Sequence, residues 1–295
     1  MKKLLFFLLI SSQVFAQKTT FKSVLLDANT KEPVVYANIS FLKSNKGISS
    51  NEDGTFSMNL SEKYLNFKVH ISCLNYKDTI VVAKDIQNKK LYLQPKSFVL
   101  DEIKLTKRIE KSVLLGEVKN RVQGVHTSGM RMLAKYFPND KRANCCSFLE
   151  TIEIHLAKKK NHRKKSKFRV RVFSKDEKTG LPKEDLLNIN LPIEIKDGQE
   201  TAIIDLSNYS IEMPENGVFI AFEKLFIPFN AYGKNESDSE NEFFYSPIIG
   251  YTKYSKKDRN DNMYMFVKGK WQLSPLSKIK MMRKYAPAIA LKLTN

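Results

Sequence analysis

The chain has 295 residues, 42% hydrophobic and 27% charged, which reads as globular and is long enough for two cores of ordinary size rather than one. Lysine and arginine number 50 against 31 acidic residues, a formal net charge of +19; an excess of that size asks for an anionic partner such as lipid head groups or acidic polysaccharide. Three cysteines, Cys73, Cys145 and Cys146, are too few and too badly spaced for a disulfide scaffold.

Lys2 and Lys3 form a positive leader, residues 4–10 an unbroken apolar run, and Val14-Phe15-Ala16 a small-residue cleavage site. That order predicts a signal peptide over 1–16, with the mature chain starting at Gln17. The apolar run ends at Ser11 and Ser12, short of the roughly 20 residues that a spanning helix needs. No further stretch of spanning length follows, and no cysteine at the cleavage site suggests a lipid anchor. Removing the two leader lysines takes the net charge from +19 to +17.

From Phe21 to Leu105 short β-rich runs alternate with turn chemistry, the spacing of a small sandwich. Strands are predicted over 21–26, 34–42, 55–60, 65–73, 79–83 and 90–93, with Val35, Ala37, Ile39 and Phe41 on one face of the second and Leu65, Phe67, Val69, Ile71 and Cys73 on one face of the fourth. Glu52-Asp53-Gly54 is a hairpin signal, because glycine takes the positive φ that a side chain resists.

Four strings in order carry a resemblance: Asp27 with Pro33-Val34-Val35-Tyr36-Ala37-Asn38-Ile39, Gly47-Ile48-Ser49-Ser50-Asn51-Glu52-Asp53-Gly54-Thr55-Phe56, Leu74-Asn75-Tyr76, and Leu100-Asp101-Glu102-Ile103. Over roughly residues 20–106 the chain resembles the carboxypeptidase-regulatory-like domain. The resemblance implies a transthyretin-like (prealbumin-like), immunoglobulin-type β-sandwich of a kind common in exported proteins of Bacteroidetes and at the front of TonB-dependent receptors. Ser23 and Asn75 stand where members usually carry glycine; asparagine tolerates a left-handed backbone better than other side chains do.

Residues 107–123 lose strict alternation and read as a linker able to carry a short helix. A second domain is predicted over 124–295. Its strands are expected at 124–137, 147–156, 168–173, 187–195, 201–206, 217–225, 263–267 and 289–293, with a hairpin joining the second to the third. Along that third strand Phe168, Val170 and Val172 alternate against Arg169, Arg171 and Lys175. The stretch from Phe168 to Glu223 resembles the region that accompanies the regulatory-like domain in uncharacterised Bacteroidetes proteins and, more loosely, galactose-binding jelly rolls. The expected fold class is therefore all-β, a transthyretin-like sandwich followed by a jelly-roll-like one.

Zinc-carboxypeptidase chemistry lacks its ligands: none of His70, His126, His155 and His162 begins a His-x-x-Glu or His-Glu-x-x-His spacing. His70 falls between core-facing residues and is expected at the surface or an edge. No Gly-x-Ser-x-Gly elbow is present. The acidic run 236–242 and the group Asp258, Asp261 and Asn262 read as solvated loops, without the fixed glycine and terminal glutamate of an EF-hand. No metal site and no cofactor is expected. Adjacent Cys145 and Cys146 are not expected to pair, since a bridge between neighbours strains the peptide between them; a bridge from Cys73 to either stays open, with buried free thiols preferred.

The basic run Lys158, Lys159, Lys160, Arg163, Lys164, Lys165 and Lys167 reads either as a solvated loop or as a site for phosphate or uronate groups on an envelope glycan or glycolipid. Lys278, Lys280, Arg283 and Lys284 form a candidate second patch, and Tyr251, Tyr254, Tyr264 and Trp271 are either ordinary core residues or platforms for sugar rings. The composite expectation is a non-catalytic exported module in the periplasm or at the cell surface. It would bind an anionic glycan, a glycolipid or an envelope protein and no physiological nucleic acid; the alternative is an exported hydrolase whose site no motif reveals.

Overall fold

The two largest apolar clusters among the described residues each fill one set of sheets. The computed structural model describes residues 18–96, 111–119, 121–122, 132–157, 165–234, 243–253, 263–279 and 284–295. Residues 1–16, read above as a signal peptide, the motif at 100–103, the basic residues 158–164, His126, His162, the acidic run 236–242, Tyr254, Asp258, Asp261, Asn262, Lys280 and Arg283 lie outside them. No helix among the described residues is long and apolar enough to cross a membrane.

The first sandwich contains β1 (Lys18–Asp27), β2 (Asn38–Phe41), β3 (Gly47–Ser49), β4 (Thr55–Ser61), β5 (Lys68–Ser72), β6 (Thr79–Val82) and β7 (Lys90–Leu93). One sheet runs β4-β1-β7 and the other β3-β2-β5-β6. Phe21, Leu25, Ile39, Phe41, Phe56, Val69 and Ile71 fill the space between them, each such side chain stabilising by about 1.5–3 kcal/mol when fully buried. Gly54 closes the predicted turn at φ +75, and a Cβ there would sit 2.4 Å from the Leu25 carbonyl oxygen. Asn75 adopts φ +68, the left-handed backbone that its place in the motif requires. Ser23 is buried, and its hydroxyl donates to the Lys89 carbonyl at 2.7 Å.

The second sandwich contains β8 (Ser112–Leu115), β9 (Arg121–Val122), β10 (Met132–Phe137), β11 (Phe148–His155), β12 (Ser166–Lys175), β13 (Pro182–Asp185), β14 (Pro192–Ile195), β15 (Thr201–Asp205) and β16 (Val218–Lys224). It continues through β17 (Ala231–Lys234), β18 (Phe243–Tyr245), β19 (Tyr251–Lys253), β20 (Met263–Val267), β21 (Lys270–Leu273), β22 (Tyr285–Pro287) and β23 (Ile289–Thr294). A seven-stranded sheet, β13-β12-β16-β10-β20-β21 with β14 also on β12, faces the four-stranded β15-β11-β23-β8. Ile152, Ile154, Ile289 and Leu291 from the smaller sheet meet Phe168, Val170, Val172, Ile220 and Phe222 from the larger.

Several expectations change here. β11 and β12 are not a hairpin: β11 pairs with β15 and β23, while β12 pairs with β13, β14 and β16. Alternation is the same whether two apolar faces lie side by side or stacked, and here they stack across the core. Within the span read as a linker, Ser112–Leu115 is a strand on the edge of the four-stranded sheet, paired with β23. Four residues are too few to show a period, and partnership with the far end of the chain supplies the order. His70 is buried rather than at the surface; its Nε2 lies 3.0 Å from Asp78 and its ring 6.1 Å from that of Phe266 in the second sandwich. Cys145 and Cys146 are disulfide-bonded to each other, and Cys73 is a buried free thiol. The turn between β10 and β11, closed by Ala143 N–H donating to Asp140 and Cys146 N–H donating to Ala143, fixes side-chain directions that adjacency in sequence does not reveal.

Candidate functional site: a buried charge cluster between the sandwiches

The arginines of β12 alternate with its core residues, so they lie on the outer face of the seven-stranded sheet. On an uncovered sheet that face would be wet. Here the first sandwich covers it, and Arg169 and Glu223 have no exposed side-chain surface. Arg169 and Glu223 are directly opposed in the β12–β16 register, and the guanidinium Nε donates to Glu223 Oε2 at 2.6 Å. Its Nη1 donates to Asn190 Oδ1 at 2.9 Å and its Nη2 to the Tyr36 carbonyl, in the first sandwich, at 3.1 Å.

The other Glu223 oxygen accepts from Asn38 Nδ2, also in the first sandwich. Arg171, two residues along the same face, donates to Asp185 and, at 3.4 Å, to Glu223 Oε2. Two guanidiniums and two carboxylates thus form a neutral group under a protein roof. Burial alone would lift the Glu223 carboxyl, but Arg169 and Arg171 outweigh it and hold it below the ordinary carboxylate range. At Asp185 burial wins over Arg171 and the carboxyl is raised.

Backbone pairing extends the seam. Ser49 N–H donates to the Phe226 carbonyl at 3.1 Å, and Phe226 N–H donates to Ser49 Oγ at 3.0 Å. Tyr36 packs on Leu225 and Ile227; Asn75 Nδ2 donates to the Asn188 carbonyl at 3.0 Å. At the far side Gly269, at φ +77, tucks the β20–β21 turn beneath Leu42 and His70, where a Cβ would come within 2.8 Å of Leu42.

The basic run reaches this seam at one end. Lys167 Nζ donates to Glu52 at 2.6 Å and lies 3.4 Å from the Tyr36 hydroxyl, which itself donates to Glu52 at 2.6 Å. Lys165 Nζ sits 3.0 Å from Glu194 and 5.8 Å from the exposed Phe229 ring. The two described members of the run therefore carry carboxylate partners, and Lys167 bridges the sandwiches. In the candidate second patch, Lys278 and Lys284 are exposed. Of the aromatic set, Tyr251 is in the core, whereas Tyr264 and Trp271 belong to an aromatic group on the outer face of the larger sheet with Phe173, Phe219 and Phe266.

Residues 23–105 match the CarboxypepD_reg-like domain. Its described residues, 23–96, lie in the first sandwich, whose transthyretin-like, all-β fold the match accounts for. No curated protein matches the chain. Within the regulatory-like domain the motif residues divide into two groups. Asp27 and Tyr76 serve the domain itself: Asp27 accepts from Asn29 and Thr30 N–H at 2.6 and 3.0 Å and from the Tyr76 hydroxyl at 2.9 Å. The Thr30 amide does most to hold its carboxyl below the usual range. Tyr36, Asn38, Ser49, Glu52 and Asn75 instead face the second sandwich.

Among the described residues, no group of three or more His, Cys, Asp or Glu side chains is placed to hold a metal ion. One arrangement that sequence reasoning missed lies on the outer face of the four-stranded sheet. Thr201 Oγ1 is 3.1 Å from His155 Nδ1, and His155 Nε2 is 3.5 Å from Glu153, a hydroxyl, imidazole and carboxylate in line. The charge cluster left a signal that was readable: 218–222 is apolar without alternation, the pattern of a strand covered on both faces. A lone Glu223 at the end of such a run needs a buried partner.

Proposed function

We propose that the chain is a non-catalytic, exported envelope module that presents a strongly basic surface, on two sandwiches fixed to each other, to an anionic glycan, glycolipid or partner protein. One observation carries this reading. The acids and bases gathered most tightly among the described residues are closed on one another at the seam, two of each sign. They neutralise themselves, so the surplus of basic groups in the composition belongs to the rest of the chain. A basic field on a rigid support attracts polyanions over a Debye length, about 8 Å at physiological ionic strength, and fades with salt.

The test is retention of the full mature chain on vesicles containing anionic lipid or on immobilised outer-membrane glycolipid, each against a neutral-lipid control, across a salt series. Replacing Lys158, Lys159, Lys160, Arg163, Lys164 and Lys165 with glutamine is expected to weaken retention at least about tenfold and flatten its salt dependence. Equal retention by the substituted chain would reject the site.

The competing reading is an exported hydrolase, and the Thr201–His155–Glu153 line is the observation in its favour, since a hydroxyl held by an imidazole that a carboxylate orients is the general form of an activated nucleophile. Turnover of activated esters by the mature chain, abolished in Thr201→Ala with unchanged unfolding, would favour it over the binding module.

A further inference from the structure

The Cys145–Cys146 bridge closes no loop. Its partners are one residue apart with Cα atoms 3.8 Å from each other, the spacing that any trans peptide imposes, whereas ordinary bridges span about 4.4–6.8 Å. A disulfide stabilises chiefly by removing loop entropy from the unfolded chain, and that gain shrinks with the loop. This one joins nothing that the peptide bond has not already joined, so stapling the fold is not its role.

Its two sulfurs are placed unequally. Cys145 is exposed, while Cys146 is buried and belongs to the core group with Ala143 and Leu149. The turn that holds them carries the chain from β10 in the seven-stranded sheet to β11 in the four-stranded one. A nucleophile from solvent thus meets one sulfur and not the other. Bridges that are exposed and geometrically constrained are the ones that exchange, in contrast to buried structural bridges.

We propose that Cys145–Cys146 is a thiol–disulfide exchange site that low-molecular-weight thiols reduce and re-form in the folded protein. The thiolate of a first thiol molecule attacks Cys145 Sγ and breaks the Sγ–Sγ bond. This gives a mixed disulfide on Cys145 and a Cys146 thiolate, which takes up a proton. A second thiolate attacks the outer sulfur of that mixed disulfide, and Cys145 leaves as a thiolate and is protonated. Two electrons pass to the protein and two thiol molecules become one disulfide. The protonated pair reverses the path when the oxidised small molecule is in excess. Cys73, enclosed beneath the seam, has its thiol raised by burial and provides an unreactive reference in the same molecule.

The experiment uses the full mature chain, purified without reductant and held at native conditions in glutathione buffers of graded reduced-to-oxidised ratio. It is then quenched with N-ethylmaleimide and read by peptide mass, with Trp271 emission recording that the fold is intact. We expect no label at the pair in untreated protein and two labels under reducing buffer with Cys73 unlabelled. The pair should return to the unlabelled state on transfer to oxidised glutathione. Two labels in the untreated chain would overturn the proposal, as would labelling of the pair only in denaturant, together with Cys73. In Cys146→Ser the remaining Cys145 should take up one glutathione by mixed disulfide; a chain that stays unmodified would contradict Cys145 as the sulfur attacked.

Discussion

Lys165, just before β12, and Lys167, Arg169 and Arg171 within it occupy every second position, yet the two ends of this row live in different worlds. At Arg169 and Arg171 the regulatory-like domain lies overhead; Arg169 and Glu223 are buried, and Arg171 and Asp185 keep only 12% and 11% of their side-chain surface exposed. At Lys165 and Lys167 the roof ends; their partners Glu194 and Glu52 are 44% and 68% exposed. The ion pairs look alike as drawings. Their energetic weight differs, because water screens a surface pair, while a buried one cannot lose a partner without leaving an uncompensated charge.

The sharpest way to break that contrast is Glu223→Gln, which keeps the shape and leaves the buried Arg169 and the largely covered Arg171 with Asp185 alone. We expect a loss of about 3–5 kcal/mol in urea unfolding followed by Trp271 fluorescence and far-UV circular dichroism. The same carboxylate gives the contrast a pH signature. Its folded value is depressed, so its contribution is present above the unfolded pKa and is lost as pH falls through the folded one. Asp185 is raised and works with the opposite sign, its contribution present below the unfolded pKa and lost as pH rises through the folded value. Midpoint against pH should therefore fall on the acid side in the native chain, and Glu223→Gln should make that fall shallower.

Asn38→Leu tests the seam from the other side. It withdraws the amide that donates to Glu223 and the oxygen that accepts from Ser49 Oγ at 3.3 Å, at an expected cost of about 1.5–3 kcal/mol for a hydrogen bond to a charged group. Gly54→Ala perturbs the regulatory-like domain alone, with a left-handed backbone and a Cβ against the Leu25 carbonyl. A cost of at least about 1–2 kcal/mol is expected, and it should appear in the Trp271 transition although Trp271 belongs to the other sandwich. Lys167→Gln should have the smallest effect, leaving the urea midpoint within error.

Much of this architecture was legible in the sequence. Alternation placed the strands near 18–27, 55–61, 79–82, 90–93, 263–267 and 289–294, and the ordered motifs led to the domain that residues 23–105 match. Alternation says that a strand has two faces without saying which is wet, and so it set Arg169 and Arg171 opposite Phe168, Val170 and Val172 without revealing that the first sandwich covers them. It is equally silent on stacking, which is why β11 and β12 read as a hairpin. Strands of two to four residues such as β8, β9 and β13 have no period to detect and take their order from distant partners. Of the candidate site, the basic run was visible as charge density, but Lys167's turn toward Glu52 and Tyr36 was not. The covered run around Glu223 was the one sequence signal that pointed to the seam.

The most direct measurement follows native-state hydrogen exchange in β2 and β5 of the regulatory-like domain alongside Trp271 fluorescence, in the full chain and in Glu223→Gln, through one urea series. If the sandwiches are a single unit locked by buried charge, protection in β2 and β5 and the Trp271 signal are lost at one midpoint, and both move down together in the variant. Protection in β2 and β5 that outlasts the Trp271 transition, or that does not move when Glu223 is neutralised, would show two independent domains and contradict the lock.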